Sequence, residues 1–485
     1  MKEQSPNVLI LGGGVAGMSA ALALADQDIV VHIVEKENTL GGHAAAWACM
    51  ATDTCQNCGA CLSIEMIDQV YKHNKLIVHP NTLLNRLEKA EQGYKVELEN
   101  KDAFFVQKVI MATGFSPFKP GPSLSHDRLT NVITTEELNR HLRDDTLSEL
   151  LQNKDNPKIA FIQCVGSRNK QEGRDYCSQV CCKISMRHTQ KLIHLYPETE
   201  ISMFYMDLQI IGKEVRSFYK TLSENVSLTQ GTPTEILEHT GLPTLITEDA
   251  ARGSRNAQSF DLIVLSVGMQ PSQNLDETSA ALNLSPNSWG FFNTDKAQIA
   301  ENIAEDIIIA GCAEGPKDIL TSRQDGRIAA AKVMESLGLA KESNEQALAV
   351  LGEGGQADKT AEALSQKGYK VFLFGQGAEL KSDTKVRTMK DCQIKTISGT
   401  VGNFSINFES EGKNQQLSCA AIIAASEPLI SQNKLDTVKE GFLSLNEYAK
   451  LAETAPETAP DNAVILLDYF GPEFKARSRA ALNAA

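Results

Sequence analysis

The chain has no run of about 18 consecutive apolar residues, so no segment reads as a membrane-spanning helix. Positive charge is also short: Lys plus Arg number 47 against 61 Asp plus Glu, a balance of −14 that repels nucleic acid and anionic lipid. Ahead of Val8 there is no basic segment followed by an apolar stretch and a small-residue cleavage site, so the expected compartment is the cytoplasm, with any membrane association arising through a partner. A GxSxG elbow is absent, which removes the common hydrolase nucleophile. No histidines fall in HExxH spacing, so His43 and His188 read as packing or surface residues, although His188 could tune a nearby cysteine cluster by hydrogen bonding. What remains is 485 residues, 42% apolar and 22% charged, enough for several cores in roughly three domains of about 150 residues.

Cysteine is not scarce. Eight of the eleven fall in two windows, Cys49 to Cys61 and Cys164 to Cys182, of 13 and 19 residues. In a reducing compartment such clustering points to metal or redox chemistry before structural disulfides. Cys312, Cys392 and Cys419 are scattered among apolar neighbours, and the last two read as ordinary buried cysteines.

The N-terminal stretch reads as strand, tight turn, helix, strand: Asn7 to Leu11, then Gly12-Gly13-Gly14-Val15-Ala16-Gly17, small residues to Ala25, and a strand from Ile29 to Glu35. Gly12 permits the turn, Gly14 lets the backbone approach a pyrophosphate, Gly17 allows close packing, and the helix start offers free N–H donors. Glu35, 23 residues after Gly12, is placed to accept the hydroxyls of an adenosine ribose. Val109 to Gly114 and Ile307 to Gly311 read as strands ending in small residues, which in two-dinucleotide flavoproteins lie against the FAD, a likeness that favours FAD over NAD. The stretch Asp325 to Ala330 reads as a helix whose N-terminus could face the flavin ring.

The expected fold class is α/β, a two-dinucleotide-binding-domain flavoprotein resembling thioredoxin reductase, with a degenerate Rossmann-like C-terminal domain. Residues 1–118 form the first part of the FAD domain, with a cysteine-rich insert at 43–70, and 119–156 form a connection. Residues 157–270 form an inserted NAD-domain-like segment, 271–340 the second part of the FAD domain, and 341–485 the C-terminal domain. In the insert the opening strand Lys158 to Gln163 runs into Cys164-Val165-Gly166-Ser167-Arg168, so the pyrophosphate loop is missing and a nicotinamide is not expected there in the usual way. Leu348 to Gly375 repeats the strand, Gly-rich turn, helix, strand plan without a ribose-binding acid, and Cys419 to Ser426 echoes the FAD-domain strand. A docking domain is favoured there over a second nucleotide site. Ala452 to Asp461 reads as an exposed linker.

Cys164, Cys177, Cys181 and Cys182 supply four thiolates within one stretch, as a 4Fe-4S cluster requires. Zinc is the rival occupant, but the adjacent pair Cys181-Cys182 makes no CxxC knuckle. Cys55, Cys58 and Cys61 have the spacing of bacterial ferredoxins, with Glu65 where the fourth ligand would fall and Cys49 as its replacement. A dithiol of Cys55 and Cys58 is the alternative there.

The segments "GGGVAGMSAALALA", "VEKENTLGGHAA", "IQCVGSR", "DYCSQVCCKISMRH" and "GCAEGPKDI" resemble the flavin-containing A subunit of heterodisulfide reductase and the related A subunit of the quinone-interacting membrane-bound oxidoreductase. The resemblance runs from about Asn7 to Leu337 and implies FAD beside an unusual four-iron cluster. It also implies electron transfer, bifurcating in some members, among flavin, clusters and partner subunits. Those partners would be B and C subunits or ferredoxin-like carriers, with a homodimer compatible. The candidate FAD contacts are Gly12, Gly14, Val15, Ala16, Gly17, Glu35, Lys36, Gly42, Thr113, Gly114, Gly311, Lys317, Asp318 and Ile319. Lys317 matches a family lysine near the flavin, where a cation would favour the anionic reduced ring; the plainer reading is a solvated lysine after a proline turn. Arg187 stands where the family commonly has lysine and Gln209 where it has arginine, which weighs against bifurcation, and the flanking ferredoxin modules of larger relatives are not seen. The competing function is a self-contained pyridine-nucleotide disulfide oxidoreductase using Cys55 and Cys58.

Overall fold

The computed structural model describes residues 6–210, 220, 224–233, 235–249, 254–273, 279, 280, 282, 284–292, 306–339, 347–352, 355–375, 385–400, 403–410 and 412–425. The expected linker Ala452 to Asp461 and Ser426 lie outside them. The chain divides into two units, Met1–Ala340 and Lys341–Ala485.

The first unit holds two parallel five-stranded sheets built to one plan. In the first sheet the order is Ile307–Ile309, Lys108–Met111, Asn7–Leu11, Val30–Val34, Leu76–His79. Its strands are short apolar runs because helices and a meander cover both faces, leaving no polar side to alternate with. Helix Val15–Ala25 is apolar almost all round and packs beneath helix Ile319–Ser336. A Cβ on Gly326 of the second helix would lie 2.2 Å from the Ala16 carbonyl oxygen, so this crossing requires glycine. Strands Leu84–Ala90, Gly93–Leu98 and Ala103–Val106 form the antiparallel meander.

The second sheet runs Val226–Gln230, Glu200–Tyr205, Lys158–Val165, Leu262–Val267, Val132–Thr134, with its own meander of Glu235–His239, Leu242–Asp249 and Ser254–Ser259. The segment 119–156, expected as a connection, therefore supplies an edge strand to this sheet. It also supplies helix Thr135–Arg143, started by a capping box in which Thr134 and Glu137 satisfy each other's backbone N–H. Helix Cys181–Leu195 packs on Ile159, Phe161 and Val264 through Cys182, Met186 and Leu192.

The second unit repeats the plan on its own: a parallel sheet Val386–Met389, Val371–Phe374, Leu348–Leu351, Ala421–Ala424, helix Gly355–Gln366, and a meander of Cys392–Thr400, Asn403–Ser410 and Lys413–Cys419. Cys419 is buried in its core, but Cys392 is only half-buried, contrary to its reading as a core residue.

A further expectation is corrected. The stretch Asp325 to Ala330 does not open a helix but lies inside helix Ile319–Ser336. The helix starts earlier because Asp318, just after Pro316, is the better cap, its carboxylate accepting the Thr321 N–H at 2.8 Å. Among the described residues no helix is long and apolar enough to cross a membrane.

Candidate functional site

The first sheet ends in a cavity of about 940 Å³, at the upper end of the range for small-molecule sites. Gly12, at φ +103°, turns the chain out of its strand, and any Cβ there would lie 2.3 Å from the Ala112 carbonyl oxygen. Around Gly14, by contrast, a Cβ would meet nothing within 4 Å, which leaves the backbone at the helix start open to the cavity. Glu35 is buried at the end of the second strand; its Oε2 accepts the Gly13 N–H at 2.8 Å and its Oε1 the Glu37 N–H at 3.0 Å.

Of the fourteen sequence candidates for FAD contact, Gly12, Gly14, Val15, Ala16, Glu35, Lys36, Gly42, Thr113, Gly114, Lys317, Asp318 and Ile319 line this cavity. Gly17 and Gly311 do not. A Cβ on Gly17 would lie 1.9 Å from the Gly12 carbonyl oxygen, and one on Gly311 2.7 Å from the Ala16 Cβ, so both are packing glycines behind the wall. Lys317 is not a bare cation, because its Nζ is held by the Glu314 and Asp325 carboxylates. Burial pulls its pKa down, but these two partners outweigh burial and leave it above the ordinary lysine value.

The second sheet carries the thiols. Its central strand, Lys158–Val165, carries Cys164 at φ +62° one residue before its end, and the chain loops out before helix Cys181–Leu195 begins. Cys164, Cys177, Cys181 and Cys182 line one small cavity of about 10 Å³, together with Arg168, Asp207 and Gln209. None of the four is in a disulfide. Burial pushes the Cys182 thiol up to about 12 and the Cys181 thiol well above its usual value. Burial also raises Cys164, against the pull of Arg168. Burial thus favours the protonated thiols of Cys164, Cys181 and Cys182, and a metal would have to displace their protons. The donor set suits an iron–sulfur core, four soft ligands from one loop and the first turn of a helix, where the partial positive charge favours an anionic group. The cavity has room for about one water, so a core would displace these side chains from the positions they take here. Among the described residues no three His, Cys, Asp or Glu side chains stand close enough to bind a single metal ion.

Cys49, Cys55 and Cys61 are exposed and do not line the large cavity, on whose wall Cys58 stands half-buried. The structure does not gather these four around one point. Their loop nevertheless shares a detail with the other. The Asn57 N–H lies 3.4 Å from the Cys55 sulfur and the Gln179 N–H 3.3 Å from that of Cys177, with Asn57 at φ +48° and Gln179 at φ +62°. The two loops also meet through helix Cys181–Leu195: Arg187 donates to the Gln56 and Asn57 carbonyls, each at 3.1 Å, and Lys191 to that of Ala51 at 2.8 Å.

Sequence reasoning missed part of the cavity wall. His43 and His188, read as packing or surface residues, both border it, as do Trp47, Lys183 and Arg187. The His43 Nε2 sits 3.0 Å from the Phe115 carbonyl oxygen. His43 and Trp47 lie in and just after the short helix Gly42–Ala45, whereas Lys183, Arg187 and His188 reach the wall from helix Cys181–Leu195 of the second sheet, a long-range packing that no local pattern marks.

Residues 6–159 match the family described as pyridine nucleotide-disulphide oxidoreductase. The chain is 26% identical to the A subunit of the H(2):CoB-CoM heterodisulfide,ferredoxin reductase of Methanothermobacter marburgensis, over 64% of this chain and 61% of that protein. It is 28% identical to the second iron-sulfur A subunit of the CoB--CoM heterodisulfide reductase of Methanopyrus kandleri, over 69% of this chain and 65% of that one. The chain is similar to heterodisulfide reductase A subunits. The resemblance read from the sequence motifs thus holds, while the chain spans about three fifths of the length of the first of these relatives, 61%. Among solved structures, the T. acidophilum thioredoxin reductase aligns with a TM-score of 0.48 at 15% identity, covering 69% of this chain and 99% of that one. The Lactococcus lactis thioredoxin reductase aligns at 0.47 and 19% identity, with the same coverage. The two-dinucleotide-domain architecture rests on the paired five-stranded sheets themselves and on the matched family.

Proposed function

We propose that the chain is an FAD- and iron–sulfur-containing oxidoreductase subunit that passes electrons between flavin, clusters and partner subunits of a heterodisulfide-reductase-like complex. The observation that carries this reading is adjacency. Gln179 borders both the large cavity and the thiol cavity, and Val180, the next residue, lies on the wall of the first. The dinucleotide-sized site thus adjoins the cavity that the four thiols line, which would let electrons pass between their occupants without a diffusing carrier.

The residues divide the work. Backbone N–H groups at the start of helix Val15–Ala25 would hold the pyrophosphate, and Glu35 the ribose hydroxyls. The segment from Gly42 to Trp47, Val180, Ile184 and the residues around Lys317 enclose the remaining volume and exclude water from it. Lys317, balanced by Glu314 and Asp325, fixes the start of helix Ile319–Ser336 against the cavity without adding net positive charge. A bound flavin would supply the capacity to exchange electrons in pairs or singly. Cys164, Cys177, Cys181 and Cys182 would hold a four-iron cluster, and Cys49, Cys55, Cys58 and Cys61 a second. B and C subunits of such a complex, or ferredoxin-like carriers, are the proposed partners.

A second reading has one observation in its favour. Cys58 borders the large cavity while Cys55 is exposed three residues earlier, the disposition expected of a flavin-linked dithiol. Composition separates the two. Anaerobically purified protein is expected to carry one FAD and about eight irons per chain, and Cys177→Ala to lose about half of the iron while keeping FAD. Unchanged iron in that variant would reject the ligand assignment, and iron-free protein whose flavin is bleached by NADPH would select the dithiol.

A further inference from the structure

His188 is fully buried on helix Cys181–Leu195, and neither of its ring nitrogens has a hydrogen-bond partner among the described residues. Its ring stacks on Trp47, centroids 5.9 Å apart and planes within 18°, and both residues border the large cavity. Buried polar atoms are nearly always paired, and a neutral imidazole has one donor and one acceptor to satisfy. Another buried histidine of this unit, His32, obeys that rule, its Nδ1 lying 3.1 Å from the His79 Nε2. For His188 the described residues supply no such group, and the neighbouring open space is the cavity. The glycine turn and Glu35 account for the pyrophosphate and ribose of a dinucleotide, which leaves the wall contributed by Trp47, Ile184 and His188 to the tricyclic ring.

We infer that His188, braced against Trp47, is a hydrogen-bonding contact to the polar edge of the flavin ring. The inference rests on the FAD reading above and adds a ring-binding residue to it. Arg187, the preceding residue, is committed to the Gln56 and Asn57 carbonyls, so it fixes the helix while the next side chain is left to the ligand.

The test uses the full chain stripped of flavin and titrated with FAD, followed by flavin fluorescence and by a spectroelectrochemical titration of the reloaded protein. His188→Phe should bind FAD about tenfold more weakly, the scale of one lost hydrogen bond, and shift the flavin midpoint potential. His188→Gln, which restores an amide donor and acceptor, should recover most of both. Affinity and potential in His188→Phe equal to those of the parent would overturn the contact. If the parent itself binds no FAD, the FAD reading fails and takes this inference with it; if the parent binds FAD and the variants are indifferent, His188 alone is rejected. Should His188→Phe not fold, the ring nitrogen resonance of ¹⁵N-histidine-labelled parent that is missing in His188→Gln must move on adding FAD, and a stationary signal rejects the contact.

Discussion

At the end of the central strand of each five-stranded sheet, Asn7–Leu11 and Lys158–Val165, the chain must turn toward a helix, and the two turns of this unit do so with opposite chemistry. In the first, Gly12 at φ +103° and Gly14 keep side chains away, so the helix start is bare backbone. In the second, Cys164 takes the positive φ, +62°, at a cost of about 1–2 kcal/mol, and the helix start is occupied by Cys181 and Cys182. The acid after the neighbouring strand follows suit. Glu35 accepts a hydrogen bond from Gly13 in the turn above it and lines a ligand-sized cavity. Asp207, just past Glu200–Tyr205, is instead paired with Arg168 of its own turn and lines the thiol cavity. The shared sheet plan fixes where a cofactor can sit, and the side chains at one turn decide whether backbone N–H groups or sulfur will meet it.

The comparison breaks most readily at Gly17. Alanine there sets a Cβ 1.9 Å from the Gly12 carbonyl oxygen, a backbone atom that cannot swing aside. Gly17→Ala should cost about 3 kcal/mol in the first sheet and abolish FAD binding while leaving the iron bound at the second turn. Urea unfolding and cofactor analysis check this. Loss of iron together with FAD would show that the two turns are not independent sites.

A milder change tests the acid. Glu35→Gln keeps an acceptor oxygen but removes the charge that strengthens bonds from Gly13, Glu37 and a ribose. FAD affinity should fall by about 2 kcal/mol, roughly 30-fold. Asp207→Asn should leave FAD affinity alone, and equal losses in the two variants would contradict the division of roles.

How much of this was legible beforehand follows from the range of each interaction. The strand, glycine turn, helix and acid of the first sheet are local features with fixed spacing, and so is the run Cys164 to Cys182; both were readable. The edge strand Val132–Thr134 was not, because three residues carry no periodicity and their pairing with Leu262–Val267 spans more than a hundred residues. The partners of Lys317 were hidden for a related reason. Asp325 comes within reach only once the helix is known to start at Ile319, and the capping signal for that start, Asp318 after Pro316, is weaker than the glycine that follows. The wall residues Arg187 and His188 are brought in from the helix of the second sheet, a long-range packing that leaves no mark in local sequence.

The smallest expected effect compares the two sheets through their buried histidines. Burial, aided by repulsion from His79, lowers His32 from 6.5 to about 4, and burial alone lowers His188 to about 3. Both rings are neutral in the folded protein, whereas in the unfolded chain each takes up a proton near 6.5. Their contribution is therefore complete above the unfolded value and is lost progressively as pH falls toward the folded values, about 1 kcal/mol for each by pH 6. The Asp306 carboxyl does not blur this window. Burial raises it, but Lys108 and Lys89 hold it below its ordinary 3.8, so its own loss comes only at lower pH. Melting temperature should thus decline from pH 7 to pH 5. His32→Phe, which keeps a ring against Phe104 at the 3.9 Å stacking position, should remove only the part of that decline due to the first sheet. A decline as steep in His32→Phe as in the parent would mean that His32 stays neutral in the unfolded chain as well or is not held neutral in the fold, and would leave acid sensitivity to the sheet that carries the thiols.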